Sequence, residues 1–309
     1  MAGVLSFPLT PFTADGGKVE QEVLAAHIRQ QLEWGPSAVF AACGTGEFTA
    51  LSVPEYADVV RVAVETVGGA VPVYAGVGGG PAIAREFAQV AANAGVDGLL
   101  LLPPYLVEAP TAGLLRHIRE VAAATDRPVI VYQRANAVLT PEAAVSLLDV
   151  ETVVGIKDGK GDLELMQRIV TAVRRSGHAR AADFRFLNGM PTAELSAQAY
   201  AGIGVRPYSS AVATFVPGIA SAFHTALEND DQRVLDTLLA EFYLPFAALR
   251  SKVPGYAVSL VKAGARQQGL ALGGVRPPLI DPTPEHEKEL ATIIQRGLTA
   301  LEEVSRVDR

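Results

Sequence analysis

Eight short apolar runs, bounded by glycine and proline, recur along the chain and centre near Ser6, Ala41, Val73, Leu100, Val131, Ile156, Leu187 and Ser209. Their mean step of about 29 residues is the length of one strand, one helix and two loops. Between them lie Ala-, Leu-, Glu- and Arg-rich stretches whose apolar residues fall at helical spacing. Most runs are continuously apolar, as in Leu99-Leu100-Leu101-Leu102 and Val129-Ile130-Val131-Tyr132. A parallel strand covered on both faces reads this way, because neither face meets water. Eight equal βα steps predict an α/β chain whose residues 1–220 close into a (β/α)8 TIM barrel.

Helix starts are marked by Ser52 before Val53-Pro54-Glu55 and by Thr140 before Pro141-Glu142. In each, a hydroxyl can accept an otherwise orphaned N–H, and proline sits where its missing donor costs nothing. Beyond about Ala213 the strand signals stop. Helices are expected at Pro217–Leu227, Asp231–Arg250, Pro254–Gln268 and Pro284–Val304, with Arg276-Pro277-Pro278 in a proline-stiffened connector. Residues 221–309 therefore read as a helical extension packed on the barrel, not as an independent domain.

Composition removes several function classes. At 309 residues and 49% hydrophobic, the chain has ample material for a core, so disorder is excluded. A net charge of −7 with no clustering of basic residues argues against a nucleic-acid partner. No run of about eighteen apolar residues argues for a membrane span. The first residues lack a basic, apolar export signal, and the single cysteine, Cys43, cannot pair internally; a cytoplasmic protein is expected.

In a parallel barrel the chemistry lies at the C-terminal ends of the strands. Val153-Val154-Gly155-Ile156-Lys157-Asp158 ends an apolar strand on a lysine. Such a lysine either snorkels to solvent or stands in a desolvated pocket as a nucleophilic amine. One strand earlier, Tyr132 ends its run in the same way, and neighbouring strands would bring phenol and amine into one mouth. A tyrosine beside an amine can relay protons; alone it is equally a rim residue with its hydroxyl in water. After the second run comes Cys43-Gly44-Thr45-Gly46-Glu47-Phe48, where converging N–H groups and the Thr45 hydroxyl can hold a carboxylate, although a plain turn has the same signature. Glu47 reads as a structural carboxylate bonded to loop N–H groups, with a general base as the alternative.

Other motifs fail. Gly76-Val77-Gly78-Gly79-Gly80-Pro81 has proline where a dinucleotide loop needs its third glycine, and Asp97 precedes a strand instead of ending one. The five histidines have no metal-ligand spacing, and no G-x-S-x-G occurs. Neither cofactor nor metal is expected.

Gly44-Thr45-Gly46-Glu47, the strand-end Tyr132, Gly155-Ile156-Lys157-Asp158 and Ser209-Ser210 ahead of Pro217 together resemble the dihydrodipicolinate synthase and N-acetylneuraminate lyase superfamily. These are Schiff-base lyases on a (β/α)8 barrel, and order and spacing match over essentially the whole chain. The synthases carry two adjacent threonines in the glycine turn, Tyr-Asn-x-Pro at the fifth strand and a second tyrosine after Pro-Tyr at the fourth. This chain instead has Gly44-Thr45, Tyr132-Gln133-Arg134-Ala135-Asn136 and Leu106 after Pro104-Tyr105. Those departures are similar to the 5-dehydro-4-deoxyglucarate dehydratase branch, which removes water and carbon dioxide from a keto-deoxy sugar diacid.

The resemblance implies Lys157 as Schiff-base nucleophile and Tyr132 as proton carrier. It implies Gly44, Thr45 and Gly46 around the carboxylate next to the ketone, Ser209 and Ser210 at the distal hydroxyl or carboxylate, and Asn188 and Gly189 as a wall. Arg134 is the candidate cation for the distal carboxylate. A homotetramer acting on a small keto sugar diacid is implied as well. A Schiff-base aldolase of a 2-keto-3-deoxy sugar acid, a synthase-like pyruvate condensation and a keto-acid sensor without turnover stand as alternatives.

Overall fold

The computed structural model describes residues 3–104 and 108–307; Leu106, at which the chain departs from the synthase pattern, lies outside them. Eight parallel strands alternate with helices. The strands are β1 (Val4–Leu5), β2 (Val39–Ala41), β3 (Val73–Val77), β4 (Gly98–Leu101), β5 (Val129–Gln133), β6 (Val153–Asp158), β7 (Arg185–Asn188) and β8 (Tyr208–Ser209). The sheet runs in the order β1-β8-β7-β6-β5-β4-β3-β2. It closes where Ser6 N donates to Ala38 O (3.0 Å) and Phe40 N donates to Ser6 O (2.8 Å). The (β/α)8 barrel expected from the run spacing is therefore the fold.

Helices α1 (Gln21–Glu33), α2 (Val53–Val67), α3 (Pro81–Asn93), α4 (Thr111–Ala122), α5 (Pro141–Ser146), α6 (Leu163–Arg175) and α7 (Glu194–Gly202) surround the barrel. Ser52 and Glu55 form a reciprocal capping box on α2, and Thr140 Oγ1 accepts from Ala143 N at the start of α5. Asp97, the acid that could not serve a dinucleotide, instead accepts from Val73 N at 2.8 Å and ties the entry of β4 to β3.

Inside the barrel the side chains form a small packed column that includes Leu5, Phe7, Phe40, Tyr74, Leu100, Ile130 and Leu187. Phe7 stacks on Phe40 at 4.7 Å, and Phe40 on Tyr74 at 4.9 Å. A second, larger cluster fills the space between strands and the helices from α1 to α6. A third joins Val4, Tyr208 and α7 to the C-terminal helices, so the extension shares its core with the barrel.

That extension comprises α8 (Pro217–Glu228), α9 (Gln232–Leu238), α10 (Leu244–Ser251), α11 (Tyr256–Gln267) and α12 (Pro284–Val307). The single helix expected over Asp231–Arg250 is interrupted by a π turn at Leu239–Tyr243. Pro245 is the physical reason: it has no N–H to give to the preceding turn, and its ring crowds the carbonyl there, so the helix widens before it.

Candidate active site

Strand pairing puts the two key side chains level. Tyr132 is in register with Lys157, and Lys157 with Leu187 on the other side. Lys157 is only 5% exposed, so it is not a snorkelling surface lysine. Its Nζ lies between two aromatic faces, 4.7 Å from the Phe7 ring centre and 4.0 Å from that of Tyr132. A π face that stabilises an ammonium also stabilises an iminium formed at the same atom. The Tyr132 hydroxyl donates at 3.0 Å to the carbonyl of Gly189, which itself borders the cavity above the lysine.

Two glycines allow this closeness. A Cβ on Gly189 would come within 2.6 Å of Lys157 Cγ, and one on Gly159 within 2.6 Å of the Tyr132 hydroxyl. Behind the lysine, Asp158 is fully buried and accepts from Gln133 Nε2 (2.7 Å), Lys160 N (3.1 Å) and the Tyr200 hydroxyl. The strand end is thereby fixed on the side away from the cavity.

The cavity above Lys157 measures about 270 Å³, at the small end for ligand pockets. Of the residues singled out in the sequence, Gly44, Thr45, Tyr132, Arg134, Lys157, Gly189 and Ser209 line it. Three other candidates lie outside the lining. Asn188 is fully buried: its amide donates to Ala193 O (3.1 Å) and Ser196 Oγ (3.0 Å), and its Oδ1 accepts from Met190 N (3.1 Å), which clamps the loop after β7. Ser210 is turned inward, donating to Glu194 Oε1 and accepting from Ala213 N. Gly46 is buried beneath the turn, where its carbonyl accepts from Thr10 Oγ1 at 2.6 Å. These three support the site and do not reach into it.

Glu47 follows Gly46 with φ at 54°, a left-handed conformation for a non-glycine residue. Its side chain pairs with Lys262 of α11 at 2.6 Å, both side chains essentially inaccessible, and also accepts from Arg276 N at 2.9 Å. The structural reading of Glu47 holds, but its main partner is a lysine from the extension rather than a loop N–H alone. Burial pushes the Lys262 ammonium below its ordinary pKa, and the Glu47 carboxylate opposes that shift.

Sequence reasoning missed the far wall. Phe246, Arg250, Val258 and Val261 from the extension line the cavity, as do Pro191 and Thr192 after β7. Arg250 Nη1 donates to Pro191 O (2.7 Å) and to Thr192 Oγ1. No sequence motif links residue 250 to residue 157; only the packing of α10 on the barrel does. Among the described residues that line the cavity there are three cations, Lys157, Arg134 and Arg250, and no carboxylate. Nor does any group of three or more His, Cys, Asp or Glu converge as a metal site would require among the described residues.

The model of the dihydrodipicolinate synthetase family matches residues 1–297. The chain belongs to that family. Among relatives, a probable 5-dehydro-4-deoxyglucarate dehydratase of Streptomyces avermitilis is 53% identical over 98% of this chain and 95% of its own length. Another of that description, from Bacillus licheniformis, is 41% identical over 96% of this chain and 94% of its own. A solved dihydrodipicolinate synthase from Oceanobacillus iheyensis superposes with a TM-score of 0.87 at 25% identity, covering 96% of this chain and 97% of that one. As a family member, this chain keeps the barrel and the helical extension of the synthase.

Proposed function

We propose that this chain is a decarboxylating dehydratase that converts 5-dehydro-4-deoxyglucarate to 2,5-dioxopentanoate, carbon dioxide and water through a Schiff base on Lys157. The observation that carries this reading is a buried lysine at the floor of a cavity lined by two further cations and no carboxylate. Such a cavity suits a dianion with a carbonyl between its charges. The printed descriptions of the most similar relatives point the same way.

In this reading the unprotonated Lys157 amine adds to the ketone, and loss of water leaves an iminium. A proton leaves the adjacent methylene, and the electron pair forms an enamine. The enamine expels the β-hydroxyl as water and becomes a conjugated iminium. The bond to the distal carboxylate then breaks, its electrons flow through the conjugated system to nitrogen, and carbon dioxide departs. Protonation at carbon and tautomerisation of the resulting enol give the aldehyde. Water finally releases the ketone and Lys157. One proton is consumed overall, and no external electron acceptor is needed.

Tyr132 passes protons to and from the carbinolamine oxygen, and Gly44 and Thr45 hold the carboxylate beside the ketone. Among the described residues no helix is long and apolar enough to cross a membrane. A cytoplasmic homotetramer belongs to this proposal through the family likeness and the lone cysteine.

The experiment is borohydride reduction in the presence of 5-dehydro-4-deoxyglucarate, read by intact and peptide mass, with carbon dioxide measured in a parallel sample without reductant. An adduct on Lys157 together with carbon dioxide supports the proposal. An adduct without carbon dioxide moves the reaction to an aldolase, and no adduct sinks the lysine mechanism for this compound.

A further inference from the structure

Arg250 reaches the cavity from the last turn of α10, far in sequence from Lys157, Tyr132 and the Gly44-Thr45 turn. Its guanidinium is held in place on one side only. Nη1 donates to Pro191 O and Thr192 Oγ1, while Nε and Nη2 make no hydrogen bond among the described residues. Neither Arg250 nor Arg134 forms an ion pair with a carboxylate among them. Burial lowers the Arg250 pKa, the Glu194 carboxyl opposes that shift, and repulsion from the Arg134 guanidinium adds to it. The half-buried Arg250 and the exposed Arg134 thus face one small cavity whose described lining holds no carboxylate, which favours an anion there.

The loop that grips Arg250 is itself strained. Thr192 is β-branched yet has φ of 58°, and a side chain of that shape rarely accepts the left-handed region. Arg250 and the clamp by Asn188 hold the loop in that state. The arrangement fixes the plane of the guanidinium, which a bidentate grip on a carboxylate requires.

Strand order decides which carboxylate that is. The Gly44-Thr45 turn follows β2, across the barrel from β6, whereas the loop holding Arg250 follows β7, next to β6. A substrate joined to Lys157 with its near carboxylate at Gly44 and Thr45 therefore extends its other end toward Arg250. We infer that Arg250, anchored by Pro191 and Thr192, is the specificity-determining contact for the carboxylate remote from the ketone, with Arg134 as the second cation. This inference rests on the proposed reaction. It assigns to the C-terminal extension the choice of a diacid over a monoacid. It also gives the geometry for decarboxylation, because a fixed guanidinium plane sets the angle at which the bond to the departing carboxylate meets the iminium.

The test compares two ligands on the full-length chain, 5-dehydro-4-deoxyglucarate and the monoacid with a hydroxymethyl group in place of the remote carboxylate. The readout is the concentration giving half-maximal borohydride-trapped adduct. For Arg250→Met, the diacid value is expected to rise by at least about 30-fold, as for loss of one partner of a charged contact, with the monoacid value within about threefold of wild type. Arg250→Lys, which keeps the charge and a donor for Thr192, is expected to show a smaller shift confined to the diacid. Equal shifts for both ligands in both variants, or no shift for either, overturn the role of Arg250 while leaving the reaction intact. A wild-type chain that yields neither adduct nor carbon dioxide from the diacid overturns the proposed reaction and this inference with it.

Discussion

Lys157 Nζ sits 4.0 Å above the centre of the Tyr132 ring, while the hydroxyl of that same ring donates to Gly189 O at 3.0 Å. One side chain thus does two separable things: its π face stabilises positive charge on the lysine nitrogen, and its hydroxyl is positioned by the loop after β7. The two can be taken apart by mutation.

Tyr132→Phe keeps the ring over the amine and removes only the hydroxyl. If the phenol carries protons, kcat is expected to fall by roughly 10²–10⁴-fold, the usual contribution of a positioned acid or base. Borohydride trapping at saturating substrate should still label Lys157, more slowly. Unchanged kcat in Tyr132→Phe would rule out the proton-carrying role.

Gly189→Ala tests how tightly the lysine is packed. The new methyl would lie 2.6 Å from Lys157 Cγ and 2.8 Å from Cε, with Asp158 O at 3.0 Å behind it. The amine must move, and a displacement near 1 Å is expected to cost about 100-fold in kcat/KM. Circular dichroism should stay close to wild type, because the clash is local. Full activity would show that the lysine has room that the structure does not give it.

The buried pair of Glu47 and Lys262 stitches the glycine turn to α11. Lys262→Met leaves the Glu47 carboxylate buried without its hydrogen-bonded ammonium, and unfolding free energy is expected to drop by about 3–5 kcal/mol. Combining it with Glu47→Gln removes the orphaned charge and should recover most of that loss. Urea titrations of the two single variants and the double variant measure the coupling; simple additivity would contradict the pair.

Stability should also depend on pH through Glu194. Its carboxyl is fully buried, its Oε1 takes the Ser210 hydroxyl, and burial raises its pKa to about 7. The folded state therefore holds this proton above the pH at which the unfolded chain releases it, near 4.5. The stabilisation is complete below that lower value and is lost as pH rises toward 7, on the order of 3 kcal/mol. Glu194→Gln should cancel this dependence, so that the variant gains on wild type in thermal unfolding at pH 8 but not at pH 4.5. Parallel curves for the two proteins would show that the carboxyl is not held neutral.

Much of the fold could be read in advance because a parallel barrel writes itself into local sequence. A strand buried on both faces must be apolar throughout, and a helix must begin at a cap; both constraints act over a few neighbouring residues. Ser52 and Thr140 cap as expected, and all eight runs are strands. Lys157 and Tyr132 were visible for the same reason, since a charged or phenolic residue ending an apolar run breaks the local pattern.

Side-chain direction was less visible. Ser209 and Ser210 are adjacent in sequence, yet one lines the cavity and the other is buried against Glu194, because consecutive residues at a strand end face opposite ways. Asn188 likewise looks like a ligand contact in sequence and is a loop clamp in space. By itself, then, the sequence determined the barrel, the position of the strand-end lysine and its phenol neighbour, and the family to which they point. Only the tertiary structure brought Arg250 and Lys262 to the site and turned Ser210 away from it. The arrival of Arg250 and Lys262 depends on how α10 and α11, far downstream of Lys157, pack on the barrel, and packing between distant segments leaves no periodic mark in either one.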